Sequence, residues 1–322
     1  SATISLKSAS VTSIIAAGSL CRSRTQRAPS AFPALASYRS VGAARRNDST
    51  STGSDVDEGN DRADAISHSA VTQWLMAHAP AVAPPLRFDL ITGGHSNLTY
   101  RVTDQAGTRW VLRRPPLHHV LEGAHDMRRE HRLMSSLSSS GVPVPRIVGL
   151  CTDHNVNGAD FYVTDFVDGH VLRSVEDAEV VPVEVRPTLS MRLVEGLAAV
   201  HDVNLVAVGL DDLGKKEAYV ARQLRTWSRA FSSMTAREVP LIGEVHDQLT
   251  MRIPEQREAT LVHGDYRLDN CLVTPAGELT AVLDWEIATL GDPLADLGIL
   301  LAYWSEPGDS FLPLGQAATI AE

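Results

Sequence analysis

Three polar residues late in the chain have the types and the spacing to hold a hard metal cation. Asp265 and Asn270 lie five residues apart, just after the apolar residues 261–262. Asp284 ends a second apolar run, residues 281–283. Mg²⁺ prefers carboxylate and amide oxygens and leaves its other positions to water and phosphate. A cation held against phosphates, beside a carboxylate that aims an acceptor oxygen, is what phosphoryl transfer requires.

Each of these features alone is weak, because an isolated aspartate at a strand end is more often a turn residue than a ligand. The combination is specific: HGDYRLDN at 263–270 followed by AVLDWE at 281–286 resembles the signature of the aminoglycoside-phosphotransferase-like branch of the protein-kinase superfamily. Within that branch the chain is most similar to the kinase-like domain associated with some acyl-CoA dehydrogenases and to its free-standing bacterial relatives. The resemblance spans residues 88–304 and includes GGHSN at 93–97, WVLRRPP at 110–116 and GDPLADL at 291–297.

The resemblance implies a nucleotide site with ATP and Mg²⁺ as cofactors. Asp265 would be the catalytic residue, as base or orienting group for the acceptor hydroxyl, and Asn270 and Asp284 would be the Mg²⁺ ligands. One segment corresponds to the loop that covers the nucleotide, and another to the linker whose backbone bonds the adenine edge. These two cofactor-binding segments comprise Gly93, Gly94, His95, Ser96 and Asn97, and Thr164, Asp165, Phe166 and Val167.

The third strand departs from the general kinase pattern, because it has arginine where kinases place a phosphate-contacting lysine. Arginine keeps the charge and can bind phosphate bidentately, but it is longer and planar. Arg113 shares a strand face with Val111 and Arg114 points the other way, so we expect Arg113 at the phosphates and keep Arg114 as an alternative. Glu130, on the next helix, matches the acid that orients this cation. Its alternative interpretation is a solvated charge among neighbouring arginines.

Four residues near the motifs have structural interpretations. His263 either hydrogen-bonds within the catalytic loop or is merely structural. Asp292 and Asp296 are expected to cap or tie the helix that follows them. Cys271 is expected to be a small buried residue rather than a nucleophile.

The elements that must position these residues follow two patterns. Alternating apolar residues predict strands in the first half, with one helix among them, and helical spacing dominates the second half. We therefore predict an α+β, bilobal protein-kinase-like fold: a small antiparallel sheet lobe over 65–167 and a larger, mainly helical lobe over 168–322, truncated at its C-terminus. The predicted helices are 66–78, 125–137, 189–200, 218–231 and 293–303, and the predicted strands are 87–91, 98–102, 109–113, 146–151, 161–167, 261–262, 271–273 and 279–283.

Composition narrows the class of protein. The formal net charge of the 322 residues is −10, so neither a nucleic-acid nor a membrane partner is expected. Three scattered cysteines indicate a reducing compartment. Residues 1–64 lack an apolar period and predict a disordered extension, although their basic, acid-free part also has the composition of a mitochondrial transit peptide. We expect a cytoplasmic location, with a mitochondrial one as the alternative.

Three functions remain open from the sequence. The first is ATP-dependent transfer of a phosphoryl group to a hydroxyl of a small-molecule metabolite, in particular a hydroxyacyl compound. The second is an aminoglycoside-type antibiotic phosphotransferase. The third is a nucleotide-binding pseudokinase that acts as a regulatory module, suggested by the arginine at the lysine position. The acceptor's identity and the oligomeric state stay open.

Overall fold

The computed structural model describes residues 66–91, 97–116, 126–234 and 239–304. The extension at 1–64 and the loop residues Gly93, Gly94, His95 and Ser96 lie outside these ranges. The helices are α1 (His68–His78), α2 (Met127–Leu137), α3 (His154–Asn157), α4 (Val175–Ala178), α5 (Arg186–His201), α6 (Tyr219–Met234), α7 (Pro240–Thr250) and α8 (Leu294–Ala302), with 3₁₀ turns at Val183–Val185 and Leu268–Asn270. The strands are β1 (Arg87–Leu90), β2 (Leu98–Thr103), β3 (Arg109–Arg114), β4 (Ile147–Cys151), β5 (Phe161–Asp165), β6 (Thr260–Val262), β7 (Cys271–Val273), β8 (Leu279–Val282) and β9 (Thr289–Gly291).

The first half is built on one antiparallel sheet with strand order β1-β2-β3-β5-β4. Successive side chains of a strand point to opposite faces, and on β3 the face with Arg114 is buried while the face with Arg113 is half-exposed. The predicted separation of these two arginines is therefore confirmed. Helix α1 covers the buried face, whose core comprises Val71, Leu75, Tyr100, Val102, Trp110 and Leu112.

Helix α2 begins at an N-cap, since the side chain of Asp126 accepts a hydrogen bond from Arg129 N at 3.0 Å. Such a cap satisfies one of the amides left unpaired at a helix start. The buried stripe follows helical spacing and comprises Met127, Glu130, Leu133, Met134 and Leu137. A carboxylate in this stripe is exceptional, because glutamate is almost never fully buried without a partner.

The second half is helical around two short ladders. Strand β6 pairs with β9 and β7 pairs with β8, both antiparallel. Helix α5 lies against β6 and β8 and buries Leu189, Leu193, Leu197 and Val200 at helical spacing. These ladders bring the two sequence motifs together, because 263–270 connects β6 to β7 and 283–288 connects β8 to β9.

Four elements were not predicted: α3, α4, α7 and β9. Three of them have only three or four residues, too few to display a period. Helix α7 has no buried residue, so its apolar residues do not mark a face that packs on the core. The other predicted helices and strands are found, with ends shifted by a few residues.

A small antiparallel sheet followed by a mainly helical half is an α+β arrangement, as predicted. The boundary at residues 167 and 168 stays a prediction. Across the residues that the structure describes, no helix combines the length and apolar character needed to cross a membrane.

Candidate active site

The loop between β6 and the following 3₁₀ turn is fixed by His263, whose side chain is fully buried. Its Nδ1 accepts a hydrogen bond from Asp265 N at 3.2 Å, and its Nε2 donates to Leu283 O at 2.9 Å. Burial lowers the pKa of His263, in keeping with a neutral ring that donates at one nitrogen and accepts at the other. Of the two roles left open for His263, the structure supports a hydrogen bond within the loop. It also joins the two motif segments.

The same loop is held from behind by Asp296 of α8, whose side chain is fully buried. Its carboxylate accepts hydrogen bonds from His263 N at 2.8 Å and Gly264 N at 2.7 Å. His201 Nε2 lies 3.0 Å from the same carboxylate. Asp292, in contrast, accepts a hydrogen bond from Leu294 N at 3.0 Å and so holds the first residue of α8, in line with its predicted role at this helix. Asp296 therefore ties α8 to the loop that contains His263 and Gly264, and the sequence had not identified this loop as its partner.

Asp265 and Asn270 face each other across the loop. Asn270 Nδ2 donates to both the main-chain oxygen and Oδ2 of Asp265, each at 2.8 Å. Because the amide nitrogen is committed to Asp265, the amide oxygen Oδ1 is the atom left for a cation. Arg267, which the sequence did not single out, lies with Nε 3.0 Å from Asp265 Oδ1 and stacks on Tyr303. The sequence feature that could have identified Arg267 is its position two residues after Asp265.

Asp284 follows β8 in a left-handed backbone conformation, with φ of 63°. This region is uncommon for residues other than glycine, although aspartate tolerates it better than most. The preceding residue is anchored, since Leu283 N donates to Asn270 O at 2.8 Å. The carboxylate of Asp284 meets the side chain of Arg113, with 2.5 Å between Oδ1 and Nη2. Arg113 of β3 thus reaches the second motif at Asp284, and the adjoining residue joins that motif to the first.

Glu130 lies behind Arg113, with Oε2 3.4 Å from Nε. Burial raises the pKa of Glu130 to about 7, against the opposing effect of Arg113. Burial alone would lower the pKa of Arg113, but the negative charges of Glu130 and Asp284 raise it above its ordinary value. Glu130 is therefore a buried partner of Arg113 rather than a solvated charge. Arg114 instead donates to Asn157 O at 3.2 Å, on the far side of the sheet.

The linker segment 164–167 is held by two exposed arginines. Arg146 makes two hydrogen bonds to Asp165, at 2.7 and 2.8 Å. The guanidinium of Arg109 lies 4.4 Å from the ring centroid of Phe166. The main-chain amides of Asp165 and Phe166 already donate to the carbonyl oxygens of Arg146 and Arg109. A ligand that bonds this backbone would therefore use the amide of Val167 or the carbonyl oxygens, with Thr164 buried beneath.

Asn97 is the one residue of the nucleotide-covering loop that falls among the described residues. It is buried, and its Nδ2 donates to Glu286 Oε2 at 3.0 Å. Glu286 also lies 3.5 Å from Arg113 Nη2. It was not predicted as a site residue, although it is the last residue of the AVLDWE motif. The described part of the chain contains no cluster of three or more His, Cys, Asp or Glu side chains that could hold a metal ion.

A comparison with protein families decides the assignment of this arrangement. The profile described as "Phosphotransferase enzyme family" matches residues 87–320. The chain belongs to this family. The match covers both motifs, β3 and the linker, so the family resemblance inferred from the sequence is confirmed.

Curated relatives of this phosphotransferase-family chain include mouse acyl-CoA dehydrogenase family member 10, which is 35% identical over 246 residues, 74% of this chain and 22% of that protein. Member 11 from chicken is 35% identical over 229 residues, 70% of this chain and 29% of that protein. The chain thus spans less than a third of the length of either relative. The predicted likeness to the domain associated with acyl-CoA dehydrogenases is also confirmed.

Solved structures agree on the fold. A candidate aminoglycoside phosphotransferase from Ralstonia eutropha JMP134 is 32% identical with a TM-score of 0.63, over 76% of this chain and 72% of that one. The GDP complex of wild-type aminoglycoside 2'-phosphotransferase-IIIa is 19% identical with a TM-score of 0.52, over 73% and 78%. At that identity the second likeness concerns the fold alone. The predicted kinase-like fold is thereby confirmed.

Proposed function

We propose that this phosphotransferase-family chain transfers the γ-phosphoryl group of ATP to a hydroxyl of a small-molecule metabolite. The observation that carries the proposal is the meeting of Arg113 with Asp284 at 2.5 Å, one residue after Leu283, whose amide donates to Asn270 O. A cation from the third strand meets the proposed metal ligand of the second motif, and hydrogen bonds of the Leu283 main chain join that motif to the loop of Asp265 and Asn270. Phosphoryl transfer needs such a cation and such oxygen groups in one place. Arginine at the position of the usual lysine keeps a fixed positive charge for the phosphates.

The donor set fits Mg²⁺. The carboxylate of Asp284 and the amide oxygen of Asn270 are hard oxygen ligands, and a magnesium site of one or two such groups completes its shell with water and phosphate. Bound there, Mg²⁺ would neutralise charge on the phosphates. The side chain of Asp284 is 34% exposed, so it is accessible to a ligand.

Asp265 is proposed to receive or orient the proton of the acceptor hydroxyl. Its carboxylate is fixed through Oδ2 by Asn270 and lies next to Arg267 through Oδ1. An oriented carboxylate contributes to general base catalysis only if it is held within reach of that proton. The backbone of Val167 and the linker carbonyl oxygens are proposed to bond the adenine edge.

Two features support a metabolite acceptor over a polycationic antibiotic. Helix α6 begins against β9, where Tyr219 packs on Gly291, and its sequence YVARQLRTWSRAFSSM contains three arginines and no acid. Polycationic substrates require acidic partners, because unlike charges attract and like charges repel. Ile287 is half-exposed and lies beside Gly264, next to Asp265. An acceptor with an apolar chain and an anionic group, such as a hydroxyacyl compound, fits both features.

Calorimetry of ATP binding with and without Mg²⁺ tests the nucleotide site. We expect a Kd near 1 μM, about −8 kcal/mol, and at least about a tenfold loss in Asp284→Ala, as is typical when a metal site is impaired. Asp212→Ala is the matched control, since Asp212 is exposed and pairs with Arg132 at the surface. A folded wild-type protein that does not bind ATP, or an Asp284→Ala variant that binds as the wild type does, would contradict the proposal.

A transfer assay then separates the remaining functions. Radiolabelled ATP is incubated with hydroxyacyl compounds and, in parallel, with kanamycin. Labelled hydroxyacyl product supports the proposal, whereas labelled kanamycin would assign the antibiotic function. Binding of ATP without transfer to any acceptor would point to the regulatory pseudokinase.

A further inference from the structure

Arg129 is a cation that the proposed chemistry does not use and whose partners are unusual. It lies on α2, directly before Glu130, and is half-buried. Its Nη1 donates to Glu286 O at 3.2 Å and its Nη2 donates to Ala288 O. Among the described residues its side chain hydrogen-bonds only main-chain carbonyl oxygens. Burial accordingly lowers the pKa of Arg129, and the nearby acids Asp126 and Glu130 oppose this only in part.

A half-buried guanidinium without a bonded carboxylate carries part of a desolvation cost, which its hydrogen bonds must offset. The two carbonyl groups that accept from Arg129 belong to the segment that begins at Asp284. This segment has an unusual start, because Asp284 itself adopts the left-handed conformation. Backbone in a sparsely populated conformation persists only when its surroundings hold it in place.

The segment is held at both ends. At its start, Leu283 N donates to Asn270 O at 2.8 Å, and Leu283 O accepts from His263 Nε2 at 2.9 Å. At its far end, Arg129 bonds the carbonyl oxygens on either side of Ile287. Asp284 lies between these two anchors. The first anchor belongs to the catalytic loop and the second belongs to α2.

We propose that Arg129 is a positioning residue that sets the place of Asp284 for the metal ion. Helix α2 then contributes two consecutive residues to the site. Glu130 orients the side chain of Arg113, and Arg129 fixes the main chain of the segment that carries Asp284. A shift of α2 along or about its axis would move the phosphate-binding cation and the metal ligand together. This inference rests on the proposed function, because it assumes that Asp284 binds the metal.

The test is the factor by which Mg²⁺ strengthens ATP binding, measured by calorimetry as the ratio of Kd without Mg²⁺ to Kd with Mg²⁺. In Arg129→Met we expect this factor to fall about 10- to 100-fold, the range typical of residues that orient metal ligands, while the Kd without Mg²⁺ stays within about twofold. Arg129→Lys keeps the charge and should recover part of the loss, since an ammonium can reach one carbonyl oxygen. Arg128→Met is the matched control, because Arg128 is the exposed neighbour that pairs with Asp160.

The outcomes separate the inference from the proposed function. If the wild type does not bind ATP, or binds it equally with and without Mg²⁺, the proposed function fails. If the wild type responds to Mg²⁺ and Arg129→Met responds equally, the positioning role is refuted. Equal weakening of binding with and without Mg²⁺ would also refute it, because that result indicates a general structural role. Should Arg129→Met fail to fold, Arg129→Lys carries the test: an unchanged Mg²⁺ factor refutes the inference and a reduced one supports it.

Discussion

Replacing Glu130 with glutamine should remove a pH dependence of the folding stability. The carboxyl group is 2% exposed, and burial raises its pKa from 4.5 to about 7. The folded protein therefore keeps a proton between these pH values that the unfolded chain has released. Because the folded state binds more protons in this window, stability falls as the pH rises through it.

The size of the expected change in folding stability follows from the difference between the two pKa values of Glu130. Each pH unit between the two pKa values is worth about 1.4 kcal/mol, so ionising Glu130 costs the folded state about 2–3 kcal/mol between pH 5 and pH 8. Glutamine has nearly the same shape and does not titrate. Arg113 keeps Asp284 as a charged partner in the variant, which limits the loss of its pairing.

The assay is urea unfolding of the wild type and Glu130→Gln at pH 5, 6, 7 and 8, without nucleotide. The free energy of unfolding of the variant minus that of the wild type should increase by about 2–3 kcal/mol from pH 5 to pH 8. Glu184→Gln is the matched control, because Glu184 is exposed and should give a constant difference. A constant difference for Glu130→Gln as well would refute the reasoning, since Glu130 would then titrate alike in the folded and unfolded chains.

Two further predictions concern the reaction and the core. Asp265→Asn should leave the Kd for ATP with Mg²⁺ within about threefold while lowering the transfer rate about 10²- to 10⁴-fold, the usual contribution of a general base; an equal rate in single-turnover assays would contradict this. Leu193→Ala should lower the free energy of unfolding by about 2–5 kcal/mol, because Leu193 is fully buried. The exposed Met191 of the same helix is its control, and Met191→Ala should change stability by less than about 0.5 kcal/mol. Similar urea midpoints for the two variants would show that α5 does not pack as described.

Contacts within the candidate site were predictable where its residues are neighbours in the sequence. Asp265 and Asn270 share one loop, and the hydrogen bonds between them need no distant partner. The choice of Arg113 over Arg114 followed from the two-residue period of a strand. Those inferences depend on local geometry, which a single sequence expresses directly.

The remaining contacts join residues far apart in the chain. Arg129 and Glu286 are 157 residues apart, and Asn97 and Glu286 are 189 apart. Such pairs form only once the sheet and the helices have packed, and neither residue type nor spacing indicates them. Helix α7 was also not predictable from the sequence. All of its residues are at least partly exposed, so it has no buried apolar face whose spacing would have indicated a helix.

The carboxylate of Asp296 has a consequence for how this domain can be divided. The two amides that it fixes are 33 and 32 residues earlier in the chain. A fragment that ended before α8 would still contain all residues of both motifs, 263–270 and 281–286. It would nevertheless lack the acceptor that shapes the loop of Asp265, and two N–H groups, one buried and one partly buried, would lose their partner. The shortest fragment that keeps this loop hydrogen-bonded as described therefore includes a helix downstream of both motifs.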